Sequence, residues 1–148
     1  MGPTSVPTYP KTRYQPSPLV DLSSKAARER LSGPALKAFF KLVERWGVRD
    51  EEARQLLGGV SNGPYYEMKK ARAERLVASD ELQRISYLIG IFKGLHILHG
   101  EKLADAWPRL PNANRIFGGA TPLAYMVSGG MPAMQTVRRL LDARRGGL

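Results

Sequence analysis

Two histidines three residues apart, His96 and His99, followed by Glu101 and Asp105, form the densest group of potential metal ligands or proton carriers in the sequence. On a helix this spacing puts both imidazoles on neighbouring turns of one face. A metal site needs a third fixed ligand, and the chain contains no cysteine to supply one. A packed or interfacial histidine pair is the better reading, and no metal is expected. Ser86 with either histidine and Asp105 would assemble hydroxyl, imidazole and carboxylate, but their order and spacing meet no hydrolase template. No catalytic residue and no enzymatic activity are therefore expected. Phe117-Gly118-Gly119-Ala120-Thr121-Pro122 leads a glycine turn into a helix, an arrangement that can cradle an anion. No lysine follows the glycines at the Walker position and no strand precedes them, so it reads as a tight turn, with no cofactor expected.

Contact with a polyanion is better supported. Lysine and arginine number 23 against 13 acidic residues, a net charge of +10, which favours nucleic acid as a partner. The excess is spread along the chain: +3 over 1–31, +3 over 32–79, zero over 80–99 and +4 over 100–148. Within Asp50 to Arg72, a short helix, a glycine turn and a second helix bring together Ser61, Asn62, Tyr65, Tyr66, Lys69, Lys70 and Arg72. This is the pattern of a helix-turn-helix, whose second helix enters the major groove, with amides and cations reading bases and hydroxyls holding phosphate. Asn62 and Lys69, seven apart, share one face. A typical motif has a small residue four positions before the turn glycine. Here Gly58 points back to Arg54 and Gly59 to Gln55, with Ala53 out of register in both cases.

The elements that would position these residues are helical throughout. Ser32-Gly33-Pro34 offers a cap and an early proline before Leu36, Phe39, Phe40, Val43 and Trp46, and Gly47 ends that helix. Asp50 reads as the cap of the next, which Gly58-Gly59 closes, and Ser61-Asn62-Gly63-Pro64 opens a third carrying Tyr65, Met68 and Arg72 or Leu76. Ser79-Asp80-Glu81 begins a long fourth helix towards Gly100 with two apolar stripes, Leu82, Ile85, Ile89, Phe92 and Leu88, Ile91, Leu95, Leu98. Most of its circumference wants burial, which makes it central. Gly90 and Gly94 would permit close approach on one face. A short piece ending at Trp107-Pro108 follows, then an irregular stretch to Gly119, a helix from Thr121-Pro122 broken at Gly129-Gly130, and a last helix from about Pro132 to Arg145.

With no alternating Val/Ile/Thr run, the fold is expected to be all-α: an N-terminal helix-turn-helix module packed through a long central helix onto a small helical C-terminal module. The divisions are a proline-rich arm at 1–31, bearing Lys11 and Arg13, the helix-turn-helix at 32–79, and the central helix with the C-terminal module at 80–148. Ile85 to Leu98 is too short and, with Lys93, too charged to cross a bilayer. No signal peptide is read at the start, and a cytoplasmic location is expected.

The ordered set Trp107-Pro108, Pro111-Asn112, Phe117-Gly118-Gly119, Thr121-Pro122-Leu123, Met126, Gly129-Gly130, Val137-Arg138, Leu140 and Gly146 resembles the C-terminal toxin-binding domain of the Xre/MbcA/ParS antitoxins. The sequence before it resembles that family's Xre-like helix-turn-helix. The resemblance implies a bacterial antitoxin and homodimer that binds a RES-domain toxin, an NAD-consuming enzyme, and represses its own operon by binding operator DNA. It points to Trp107, Asn112, Phe117, Gly118, Gly119, Pro122, Met126, Gly130, Arg138, Arg144, Arg145, Gly146, Gly147 and Leu148 as toxin-binding. The last helix and the tail beyond it, Arg138 to Leu148, would then cover the toxin's NAD pocket. The alternative is a stand-alone helix-turn-helix regulator whose C-terminal module serves dimerisation or effector binding. A scaffolding adaptor without promoter contact is a further one.

Overall fold

The structure is a computed structural model that describes residues 21–70 and 76–145. The proline-rich arm with Lys11 and Arg13, Arg72, and the tail Gly146, Gly147 and Leu148 lie outside the described residues. Within them the chain forms six α-helices: α1 Lys25–Trp46, α2 Asp50–Leu56, α3 Asn62–Lys70, α4 Ser79–Leu98, α5 Glu101–Ala106 and α6 Pro122–Arg145, with a 3₁₀ turn at Trp107–Arg109 after α5. The expected all-α arrangement is the one observed.

α1 starts earlier than its punctuation suggests, so residues 25–31 belong to a helix and not to the arm. Ser24 is the cap, its hydroxyl accepting from the Ala27 N–H at 3.3 Å. Pro34 sits inside the helix on its exposed side, which limits the cost of the backbone bond it removes. Ser32 is no cap either. It is buried, donates its hydroxyl to the Arg28 carbonyl (2.6 Å) and accepts from the Val77 N–H (2.9 Å), tying the segment before α4 to α1. At the other end the Val48 N–H reaches the Val43 carbonyl and the Gly47 N–H the Glu44 carbonyl, with Gly47 left-handed at φ 66°. This is a Schellman stop.

α4 is central, as its two stripes require. Leu82, Ile85, Leu88, Ile91 and Leu95 are buried, with α1 and α6 packed against α4 and α5 touching both α4 and α1. Tyr87 with Gln135, Gly90 with Arg138, and Gly94 with Leu141 give a parallel register between α4 and the second half of α6. One continuous core runs from Leu36 and Phe39 through Ala53 and Tyr65 to Met126, Met134, Val137 and Leu141. The helix-turn-helix and the C-terminal module therefore share an interior. Burying each large apolar side chain contributes about 1.5–3 kcal/mol.

A threonine cap and a glycine shape α6. Thr121 caps it, its hydroxyl accepting from the Ala124 N–H at 3.0 Å, with Pro122 as first residue. Gly130, at φ 68° and ψ −150°, breaks the helix in a conformation essentially reserved for glycine. Leu76, grouped above with the third helix, lies beyond α3 and is exposed.

Urea unfolding tests both constraints. Ser32→Ala leaves the Val77 N–H without its acceptor and is expected to lower stability by about 1–3 kcal/mol. Gly130→Ala is expected to lose a similar amount, roughly 1–3 kcal/mol, from backbone strain alone.

Candidate functional site

The α2–α3 unit is a helix-turn-helix with a well-defined turn. Gly59 N–H bonds to the Arg54 carbonyl and Gly58 N–H to the Gln55 carbonyl, with both glycines at positive φ (87° and 101°). The out-of-register spacing has a physical explanation here. Ala53 is fully buried and is the small residue against the core, while Arg54 lies outside it. The Arg54 guanidinium spans the turn, donating to the Val60 carbonyl at 3.0 Å and to the Asn62 side-chain oxygen.

Asp50 is not the cap of α2. Arg49 precedes the helix, and its N–H is taken by the Glu52 carboxylate at 3.1 Å. The Asp50 side chain is thereby available to α3, where it accepts from the Tyr65 hydroxyl (2.8 Å), the Tyr66 hydroxyl (3.2 Å) and the Lys69 ammonium (3.2 Å). These donors, the Tyr65 hydroxyl first and then Lys69, hold the Asp50 carboxyl below its ordinary range. Burial, reinforced by the neighbouring Asp50, pushes the Tyr65 phenol well up.

Of the residues expected to face DNA, Tyr65 is therefore interior, fully buried and 5.6 Å from the Phe40 ring. Its role is to hold α3. Ser61, Asn62, Tyr66 and Lys70 are exposed and Lys69 half-exposed. Around them Asp50, Glu51, Glu52 and Glu67 balance Arg49, Arg54, Lys69 and Lys70. Among its described residues the unit presents hydrogen-bonding groups with little net charge, unlike the strongly basic stripe of a phosphate-dominated binder.

In the C-terminal module, Trp107, Phe117, Pro122 and Met126 are buried. Expected above to touch a partner, they instead form scaffold: the Phe117 ring meets Trp107 edge-on at 5.9 Å and Tyr125 at 5.3 Å. The chain from Asn112 to Ala120 closes on itself, with the Asn112 N–H on the Ala120 carbonyl and the Gly119 N–H on the Asn112 carbonyl, both at 3.1 Å. The N–H groups of Phe117, Gly118, Gly119 and Ala120 are all used within this loop, so they do not form an anion cradle. Gly118 and Gly119 are exposed and left-handed, and Asn112 is half-buried.

Arg138 lies across Gly90 so closely that any β-carbon there would collide with its guanidinium, and it pairs with Asp142 at 3.3 Å. Its place is the α4–α6 seam. Arg145 lies 3.7 Å from Asp142 and is half-buried, Arg144 is exposed, and Gly130 sits at the kink.

His96 and His99 are both half-buried. His96 Nδ1 is 2.9 Å from the Phe92 carbonyl and Nε2 3.3 Å from Asp105. Ser86 is exposed and ten residues earlier, roughly 15 Å along the helix, so no triad assembles. Among the described residues no group of three or more His, Asp or Glu is placed to hold a metal. Asp105 and Glu101 instead receive Arg45 from α1, at 3.0 and 2.6 Å, and Asp105 holds the Arg45 guanidinium above its ordinary range. No described helix is long and apolar enough to cross a membrane. Sequence reasoning missed the roles of Asp50, Arg45 and Arg54, whose partners are distant in the chain or across a turn and leave no periodic signature.

Comparison with known proteins gives two family matches. The antitoxin Xre-like helix-turn-helix domain matches residues 25–90, and the antitoxin Xre/MbcA/ParS C-terminal toxin-binding domain matches residues 93–147, so the two meet within α4. The chain is also 36% identical over 113 residues to the uncharacterized protein y4oB of Sinorhizobium fredii (strain NBRC 101917 / NGR234), covering 76% of this chain and 84% of that protein. No solved structure matches it.

The Asp50 contacts carry a pH signature. A carboxyl whose folded pKa is depressed stabilises the fold above its unfolded value, here 3.8, and loses that contribution as pH falls through the folded value. The stability gap between wild type and Asp50→Asn should therefore be widest above pH 3.8 and narrow in stronger acid. Parallel stability curves from neutral to strongly acid pH would show that the Asp50 charge is not what holds α3.

Proposed function

The chain belongs to the Xre/MbcA/ParS antitoxin family, and from that premise we propose that it neutralises a cognate RES-domain, NAD-consuming toxin by direct binding, acting as a stoichiometric inhibitor and not as an enzyme. The observation that carries this reading is the match of the toxin-binding domain to residues 93–147, which takes in the whole of α6. The second half of α6 is fixed against α4 by Arg138 over Gly90 and by Met134, Val137 and Leu141 in the core. A helix so held fixes the position of its end, where Arg144 is exposed and Arg145 half-buried. Inhibition is steric: this end covers the substrate pocket, where an arginine meets a pocket carboxylate.

The same protein acts as a homodimer in the bacterial cytoplasm and represses its own operon. Two α3 helices are set about one duplex turn apart, roughly 34 Å, on an inverted repeat. Ser61, Asn62 and Tyr66 supply the hydrogen bonds. Lys70, exposed and without an ion-pair partner among the described residues, supplies phosphate contact. The near-neutral surroundings of α3 fit a modest salt dependence.

Toxin inhibition is tested by co-expression with the RES-domain protein encoded beside this chain. Wild type should restore growth and suppress NAD loss, and a chain ending at Ala143 should do neither, while retaining the wild-type helical content. Undiminished rescue by the shortened chain would overturn the steric mechanism. For DNA, Lys70→Ala should reduce the steepness of log affinity against log salt by about one unit on the operator. An unchanged slope would remove Lys70 from the interface.

A further inference from the structure

Several residues that carry the resemblance, Trp107, Phe117, Pro122 and Met126 among them, are buried and support the loop before α6. Phe117 anchors the loop from below, and the Asn112 and Asn114 side chains accept from the N–H groups of Asn114 and Ile116 at 2.9 and 3.0 Å. The closing bonds between Asn112 and Gly119 or Ala120 complete a rigid clasp. Ile116, 36% exposed, and its chain neighbour Arg115 reach solvent from this loop, and Leu110, 44% exposed, precedes it in the chain. Large apolar side chains gain nothing from water, and here the fold holds two of them there on a loop with little freedom to fold back.

Charge identifies the occupant. The module contains three carboxylates, Glu101, Asp105 and Asp142, and each is already paired within the chain, by Arg45, by Arg45 again, and by Arg138 with Arg145. Lys102, Arg115, Arg139 and Arg144 are exposed and have no ion-pair partner among the described residues. The exposed charge of this module is thus mostly basic, with its acids spent internally.

We infer that Leu110, Arg115 and Ile116 form the anchor by which the chain grips its toxin, fitting an apolar socket rimmed by carboxylates on that protein. This deepens the antitoxin reading and rests on it. The division of labour is physical: the clasp, ordered before binding, supplies affinity at low entropic cost, whereas the end of α6 supplies occlusion. Arg115 at the rim acts mainly on the rate of encounter, and Ile116, seated in the socket, on the lifetime of the complex.

The test uses the full chain and the purified RES-domain protein from the same operon, with affinity read by calorimetry and kinetics by surface binding. Ile116→Asp should weaken binding roughly tenfold or more, chiefly through faster dissociation. Arg115→Glu should slow association and flatten its salt dependence. Both positions are exposed, so melting temperature and helical content should stay at the wild-type level. Leu76→Asp, equally exposed but on the helix-turn-helix module, should bind like wild type. The chain ending at Ala143 should still bind while losing inhibition. If wild type binds and Ile116→Asp and Arg115→Glu bind as tightly, or if Leu76→Asp weakens binding as much as Ile116→Asp, the anchor is elsewhere and the inference fails. If wild type itself does not bind, the antitoxin reading fails and takes the inference with it.

Discussion

A helix with apolar residues on nearly every side is satisfied only between two layers, and α4 imposes that constraint on the whole chain. Leu82, Ile85, Leu88, Ile91 and Leu95 leave it only the stripe through Gln83, Ser86, Lys93 and Ile97 for water, so α1 and α6 must cover the rest. Gly90 and Gly94 make the second contact close: one receives the Arg138 guanidinium, the other lies against Leu141. The two family domains meet inside this helix. Neither module has a separate interior to retreat to, and a disturbance on one side of α4 is felt by side chains packed on the other.

Charge is arranged with similar economy. Arg45 crosses from α1 to Glu101 and Asp105, Asp50 from α2 to Tyr65, Tyr66 and Lys69, and Asp142 pairs with arginines of its own helix. The acids are thus largely used to hold helices, and what remains for partners differs between the two ends. Among the described residues the surroundings of α3 are nearly balanced in sign, although 32–79 as a whole carries +3. The C-terminal module is left basic, which suits an acidic protein surface at least as well as a nucleic acid.

Much of this was legible because periodicity and punctuation report local physics. The end of α2, the bounds of α4, the Thr121-Pro122 start and the break at Gly130 follow from capping, proline geometry and the glycine-only backbone region. The start of α1 was not legible, because Ser32-Gly33-Pro34 has the form of a helix beginning. Its hydroxyl is committed to Val77, 45 residues away, a partner that no local pattern reveals. Asp50 misled for the same reason: an acid at a helix start fits the dipole whether it caps or reaches to the next helix.

The sequence alone determined the all-helical class, the central place of α4 and the family to which the chain belongs, since each depends on residue type and order. Only the tertiary structure decided which motif residues are surface and which are scaffold. Trp107, Phe117 and Met126 match the family yet face inward, while Arg115 and Ile116 are lifted outward by them. Burial is a property of what packs against a residue, and for these positions the packing partners come from elements brought together only when the chain closes around α4.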